Sequence, residues 1–352
     1  MKRRIIVAIA ALSTALLVTV VSPGLEAEDE AALLQQAQTL FKPLPQALGA
    51  DDLPTTPGRV ALGRMLFFDP RWTLRGNVSC ATCHQPALYG TDALPKSIGV
   101  QHRMHVRNAP TVLNAGLNFI QHWWGDRRSL EDQAEQALVG RFSSGVSDHA
   151  AVTARIEAIE GYAPLFSQAF PGEARPITSA NIAKAIGAYE RTLLTPSPFD
   201  AYLRGESSAL SSTARAGLRR FITRGCASCH NGPGVGGQMF QKFGIVEEYW
   251  KATGSTEVDQ GRFGFTKDPV DLYVFKVPSL RNVAMTPPYF HDGSVATLGE
   301  AVKVMGRVQL GVTLEDAEIG EIVTFLGALT GALPENFVAA PALPPAAARR
   351  GP

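Results

Sequence analysis

The sequence predicts a mainly α-helical protein made of two tandem units of one kind, joined and elaborated by long loops. Three observations predict it. Helical periodicity recurs while no long window alternates like a strand, one Cys-x-x-Cys-His pentapeptide occurs twice, and glycine- and proline-rich stretches separate the periodic segments. In 179–194 the residues Ile182, Ile186, Tyr189 and Leu193 fall on one stripe, and in 314–329 Ile319, Ile322, Val323, Leu326 and Leu329 form another. Three helix starts read as capping boxes: Ser129 with Asp132, Thr297 with Glu300, and Thr313 with Asp316. The stretches 85–118 and 231–293 are too long for ordinary connections, so a role in enclosing something is expected of them.

The pentapeptides say what is enclosed. All four cysteines of the 352-residue chain lie in Cys80-Ala-Thr-Cys83-His84 and Cys226-Ala-Ser-Cys229-His230. Two thioether bonds need thiols one helical turn apart, and an iron needs an imidazole directly after the second thiol. A redox dithiol or a zinc site would explain neither histidine. Two covalent c-type haems are therefore expected, each wrapped by a cytochrome c-like domain. The expected division is a signal peptide over 1–27, an N-terminal domain over 28–198, a C-terminal domain over 199–334 and a disordered tail rich in Ala and Pro over 335–352. The Thr195-Pro-Ser-Pro198 segment ends the preceding helix and is the expected linker.

Export is expected from the N-terminus. Lys2, Arg3 and Arg4 precede an uncharged apolar run from Ile5 to Val21, then Pro23 and Gly24, with Ala27 before an acidic cluster. The rival is a retained single-span anchor. Cleavage would leave a periplasmic protein without stable membrane association. The net charge of +1 gives no reason to expect a nucleic-acid partner.

With the haem motifs in place, neighbouring residues become recognisable. The chain resembles the bacterial di-haem cytochrome c peroxidase and MauG family in Leu66-Phe-Phe-Asp69, Arg107-Asn-Ala-Pro-Thr111, Ser129-Leu-Glu-Asp-Gln133-Ala, Val277-Pro-Ser-Leu-Arg-Asn282 and Pro288-Tyr-Phe-His-Asp-Gly293. The resemblance spans about 45–330. It implies that the first haem, with His84 as proximal ligand, is the low-potential site where hydrogen peroxide reacts. The second haem, on His230, would be the high-potential site that exchanges electrons. Met305 matches the axial-methionine segment, with Met285 as rival. A thioether donor raises the potential of a haem. MauG has a tyrosine at that position, and this chain departs from it there.

The resemblance also implies a distal glutamine at Gln133, an interhaem tryptophan at Trp123, and an interdomain calcium at Asn108, Thr286 and Pro288, all oxygen ligands. His122 reads as structural, and His291 as support for the second haem. Two departures concern the peroxide site. Where the family can carry a capping histidine this chain has Val100, so an open first haem is expected, with His102 and His105 nearby. Where the family has a distal glutamate, the acid–base group of peroxide cleavage, it has Ser143. Glu135, Asp148 or water could substitute.

The expected function is reduction of hydrogen peroxide with electrons from a small cytochrome c or cupredoxin. The alternative is MauG-like, peroxide-dependent oxidation of side chains in a partner protein. A di-haem electron carrier without catalysis is the third reading, and Gln133 and Trp123 speak against it.

Overall fold

The structure, a computed structural model, describes residues 23–49 and 54–346, with side chains from residue 28 onward. The proposed leader over 1–27 lies outside the described residues up to 22, and 23–27 begin the helix Pro23–Leu40. Among the described residues no helix is long and apolar enough to cross a membrane.

Among the described residues there are three hydrophobic cores, a small one around Tyr289, Val304 and Val308 and two larger ones, each of these two built on a pair of helices whose backbones touch. In the first, Pro57–Phe68 crosses Ser179–Glu190, and Leu62, Leu66, Phe67, Ile182, Ile186, Tyr189 and Leu193 are buried between them. Gly63 makes the contact possible, since a Cβ there would lie 1.8 Å from the Ala185 carbonyl oxygen. In the second, Ser212–Thr223 crosses Asp316–Gly327, and a Cβ on Gly217 would lie 1.9 Å from the Glu321 carbonyl oxygen. Both predicted apolar stripes thus become core faces. The second is rotated slightly: Phe325 joins Ile322, Leu326 and Leu329 in the core, while Ile319 and Val323 are only half-buried.

Capping follows the sequence at two of three sites. Ser129 Oγ accepts from Asp132 N–H, and Asp132 reaches back to Arg128 N–H. Thr297 accepts from Glu300 N–H. The third box moves from Thr313 to Glu315, which pairs with Glu318 at the start of Asp316–Gly327. The long stretches 85–118 and 231–293 carry only short helical turns and one antiparallel pair, Phe240–Lys242 with Val274–Lys276.

The two halves repeat each other locally. Asn114 and Asn282 both adopt the left-handed conformation before a 3-10 turn, as do His122 and Phe290 within the bridged turns Gln121–Arg127 and Tyr289–Val295. The side-chain amides of Asn114 and Asn282 donate to the same hydroxyl, Thr195 Oγ1, at 2.7 and 2.9 Å. The expected linker therefore sits at the right place in the chain but is no exposed tether. Thr195 and Ser197 are buried, and Ser197 caps the helix Pro198–Leu203.

The expected domain ends need correction, because each terminus packs on the other half. Leu33, Ala37 and Phe41 enter the second core against Phe199 and Phe221, and Leu40 C=O accepts from Gly232 N–H. Asp200 joins this junction: it accepts from Leu44 N–H and forms a fully buried bidentate pair with Arg281. At the other end, residues 335–346 are not a disordered tail. Phe337 is completely buried in the first core beside Phe67, Tyr189 donates to Asn336 C=O, and Arg64 donates to Ala339 C=O. One buried aromatic residue outweighs the Ala/Pro composition around it.

Candidate functional site

Each pentapeptide folds as a single turn. His84 N–H donates to Cys80 C=O at 2.9 Å and His230 N–H to Cys226 C=O at 3.0 Å, and the two thiols and the imidazole of each motif line one cavity. All four cysteines are unpaired, so the disulfides expected by default in an exported protein are absent. Burial pushes the Cys80 thiol up to about 12 and those of Cys83 and Cys226 to about 11. Burial also lowers the basicity of both histidines, His230 to about 4, which favours the neutral ring that an iron needs. His84 Nδ1 donates to Gly90 C=O at 3.0 Å, leaving Nε2 with a free lone pair.

A cavity opens on each motif. The first, about 580 Å³, is lined by Cys80, Cys83, His84, Trp123, Gln133 and Ser143, among others. The second, about 260 Å³, is lined by Cys226, Cys229, His230, Met305, Trp123 and His291, among others. The residues fit two haems. In the second cavity Lys276 is buried with no carboxylate beside it, and burial lowers its pKa to about 8. A haem propionate would supply the missing negative charge.

Most residues expected at the site are where chemistry would need them. Met305, at the end of Leu298–Met305, faces the His230 cavity, whereas its rival Met285 is 43 % exposed and outside it. Trp123 lies on the wall shared by both cavities. Its indole N–H donates to Asn108 C=O at 3.0 Å, its carbonyl accepts from Lys276 N–H at 2.7 Å, and its ring meets His291 edge-on at 6.3 Å. His291 is stacked on Phe275 and caged by Phe243 and Tyr249, consistent with support. Asn108, Thr286 and Pro288 all line the second cavity, and Asn108 N–H donates to His291 C=O across the halves.

Others are elsewhere. Glu135 accepts from Ser179 Oγ and Asp148 caps the helix His149–Glu157, so neither reaches the first cavity. Ser143 lines it, but its hydroxyl donates to Ala137 C=O at 2.7 Å. Val100 is fully buried against the Gly145 turn and is not among the residues lining the cavity, and His102 is exposed. Of the two nearby histidines only His105 lines the cavity, with its ring against Phe142.

Sequence reasoning missed two residues and misplaced a third. Glu190 is buried in the first cavity with one oxygen unpartnered, and burial, reinforced by Glu131, raises its pKa to about 8. It follows Ile182 and Ile186 at helical spacing, so a carboxylate on an apolar stripe was the available sign. Lys276 carried no such sign. His122 was seen, but its position on the first cavity was not.

Two covalent-haem motifs, each with its own cavity and one tryptophan on the wall between, define a di-haem c-type oxidoreductase. The comparisons narrow the class. Residues 57–208 match the family model described as di-haem cytochrome c peroxidase. The chain is 42 % identical to the cytochrome c551 peroxidase of Pseudomonas aeruginosa, over 86 % of this chain and 88 % of that one. It is 38 % identical to the methylamine utilization protein MauG of Methylorubrum extorquens, over 71 % of this chain and 68 % of that one. A crystal structure of a MauG-like protein associated with microbial copper homeostasis superposes with a TM-score of 0.75 at 30 % identity, covering 85 % of this chain and 95 % of that one. The chain belongs to the di-haem cytochrome c peroxidase family, and it is a di-haem peroxidase enzyme.

Proposed function

We propose that hydrogen peroxide is reduced in the first cavity with electrons that enter at the second and cross by way of Trp123. The observation that carries this reading is the position of Trp123 on both cavity walls, held by hydrogen bonds to each half. When bound, the two haems supply the iron chemistry that passes single electrons to the oxygens of peroxide. The chain would attach them through Cys80 and Cys83, and through Cys226 and Cys229. His84 and His230 would bind the two irons, and Met305 would hold the second as well.

The remaining residues bind and orient. Gln133 offers an amide to the peroxide oxygens, and Trp123 keeps a short aromatic route between the cavities. Lys276 receives a propionate. Asn108, Thr286 and Pro288 would hold a calcium ion through neutral oxygens, fixing the contact between the halves. The expected setting is the periplasm and the expected donor a small cytochrome c or cupredoxin.

MauG-like oxidation of a partner protein is the second reading. It is favoured by Val100, which leaves no capping histidine at its position, while Met305 favours the peroxidase. Peroxide added to the diferric protein, followed by its optical spectrum, separates them. Turnover only after one-electron reduction indicates the peroxidase. A long-lived peroxide-oxidised spectrum that decays on adding an oxidisable protein indicates the MauG-like reaction. No change in either state would remove both.

A further inference from the structure

We propose that His122, oriented by Asp126, is the proton acceptor of the first cavity. The proposal rests on reading that cavity as the peroxide site, and it assigns the role left vacant by Ser143, Glu135 and Asp148. His122 lines the cavity together with Gln133 and Trp123. Its Nδ1 lies 2.8 Å from Asp126 Oδ1, on a carboxylate whose side chain is 7 % exposed.

The protonation pattern follows from the pair. Burial alone would push the Asp126 carboxyl up. Its bond to His122 and the nearby Arg127 guanidinium outweigh that and hold it below the ordinary carboxylate range. An ionised carboxylate only accepts, so Nδ1 carries the hydrogen of this bond, and in the neutral ring Nε2 is then the atom that can take a proton. The backbone is committed to this placement. His122 has φ 67°, a left-handed conformation that costs a non-glycine residue free energy, closed by the Gln121–Arg127 bridge. The matching residue in the second half, Phe290, has φ 69° but no imidazole. Besides the haem-attaching Cys80 and Cys83, the other charged or titratable groups on this cavity are His84, His105, Arg107, Arg127, Arg141 and Glu190. Arg107 is engaged by Asp259, and His105 has no carboxylate among its hydrogen-bond partners.

The step balances as follows. Peroxide gives one proton to His122 Nε2, and that proton passes to the outer oxygen, which leaves as water when the O–O bond breaks. The oxygen left behind takes two electrons from the donor and two protons from solvent to become the second water. His122 ends neutral, ready for another cycle.

Cyanide provides a readout besides turnover, because hydrogen cyanide binds a ferric haem as the anion and leaves its proton on a base. In purified protein with full haem content, His122→Phe should slow cyanide association with the diferric form and the peroxide reaction of the half-reduced form by about 10²–10⁴-fold. His122→Glu should recover most of both rates. Asp126→Asn, which disturbs only the positioning group, should give an intermediate loss with unchanged spectra. Unchanged cyanide and peroxide rates in His122→Phe would overturn the assignment, as would His122→Glu being no better than His122→Phe. If the wild-type protein, diferric or half-reduced, takes up neither cyanide nor peroxide, the reading of the cavity fails first.

Discussion

At the scale of single residues, the sequence showed the attachment chemistry and hid the electrostatics. Cys80, Cys83, His84, Cys226, Cys229 and His230 were legible because haem attachment imposes a fixed local spacing. Met305 and Trp123 were singled out through family-like segments, and their roles stand as part of the proposal. The choice of Met305 over Met285 then gains from burial: one faces His230 and the other faces solvent. Met305→Ala should abolish the sulfur-to-iron charge-transfer band and lower the potential of the second haem, while Met285→Ala should leave both unchanged. Loss of the band in Met285→Ala alone would reverse the assignment. Glu190, Lys276 and the His122–Asp126 pair were not legible, because what matters in each is the pairing or absence of a partner across the fold.

Glu190 has a consequence for stability. Folded Glu190 keeps its proton up to about pH 8, whereas the unfolded chain releases it around its ordinary value of 4.5. Unfolding therefore releases a proton between those values, and stability falls as pH rises through that window, by at most about 1.4 kcal/mol per pH unit. Chemical denaturation of the holoprotein from pH 5 to 8 should show this slope, and Glu190→Gln should flatten it. An unchanged slope in the variant would place the titrating group elsewhere.

Between elements, the decisive features are the two backbone-to-backbone helix crossings. The stripe of 179–194 was readable because four apolar residues repeat at helical spacing. The stripe of 314–329 was read slightly rotated, because Phe325 falls off the chosen positions and only packing against Phe199 and Phe221 selects it. Glycines 63 and 217 gave no sign in sequence, since only the opposing helix makes a Cβ impossible. Gly217→Ala must push Ser212–Thr223 away from Asp316–Gly327 and should cost about 1–3 kcal/mol or more. A thermal melt that matches wild type would show that the helices do not approach this closely.

For the whole molecule, the exchange of termini ties the halves together. Asp200 and Arg281 are buried as a pair near Leu44, and Phe337 returns to the first core. The boundary near Thr195–Pro198 could be read from proline, but which half each terminus joins depends on long-range burial that local patterns do not encode. Phe337→Ala should destabilise the protein by about 3–5 kcal/mol, measured by denaturant unfolding. An effect below about 1 kcal/mol would mean that this segment is only loosely docked.

The central claim is that electrons entering at the second haem reach peroxide in the first cavity through Trp123. Stopped-flow mixing of the half-reduced protein with peroxide, followed at the absorption band of the second haem, tests it most directly. The account predicts prompt oxidation of the second haem in wild type, and at least tenfold slower oxidation in Trp123→Phe with both haems still attached. A second haem that stays reduced while peroxide is consumed, or an equal rate in the variant, would contradict it.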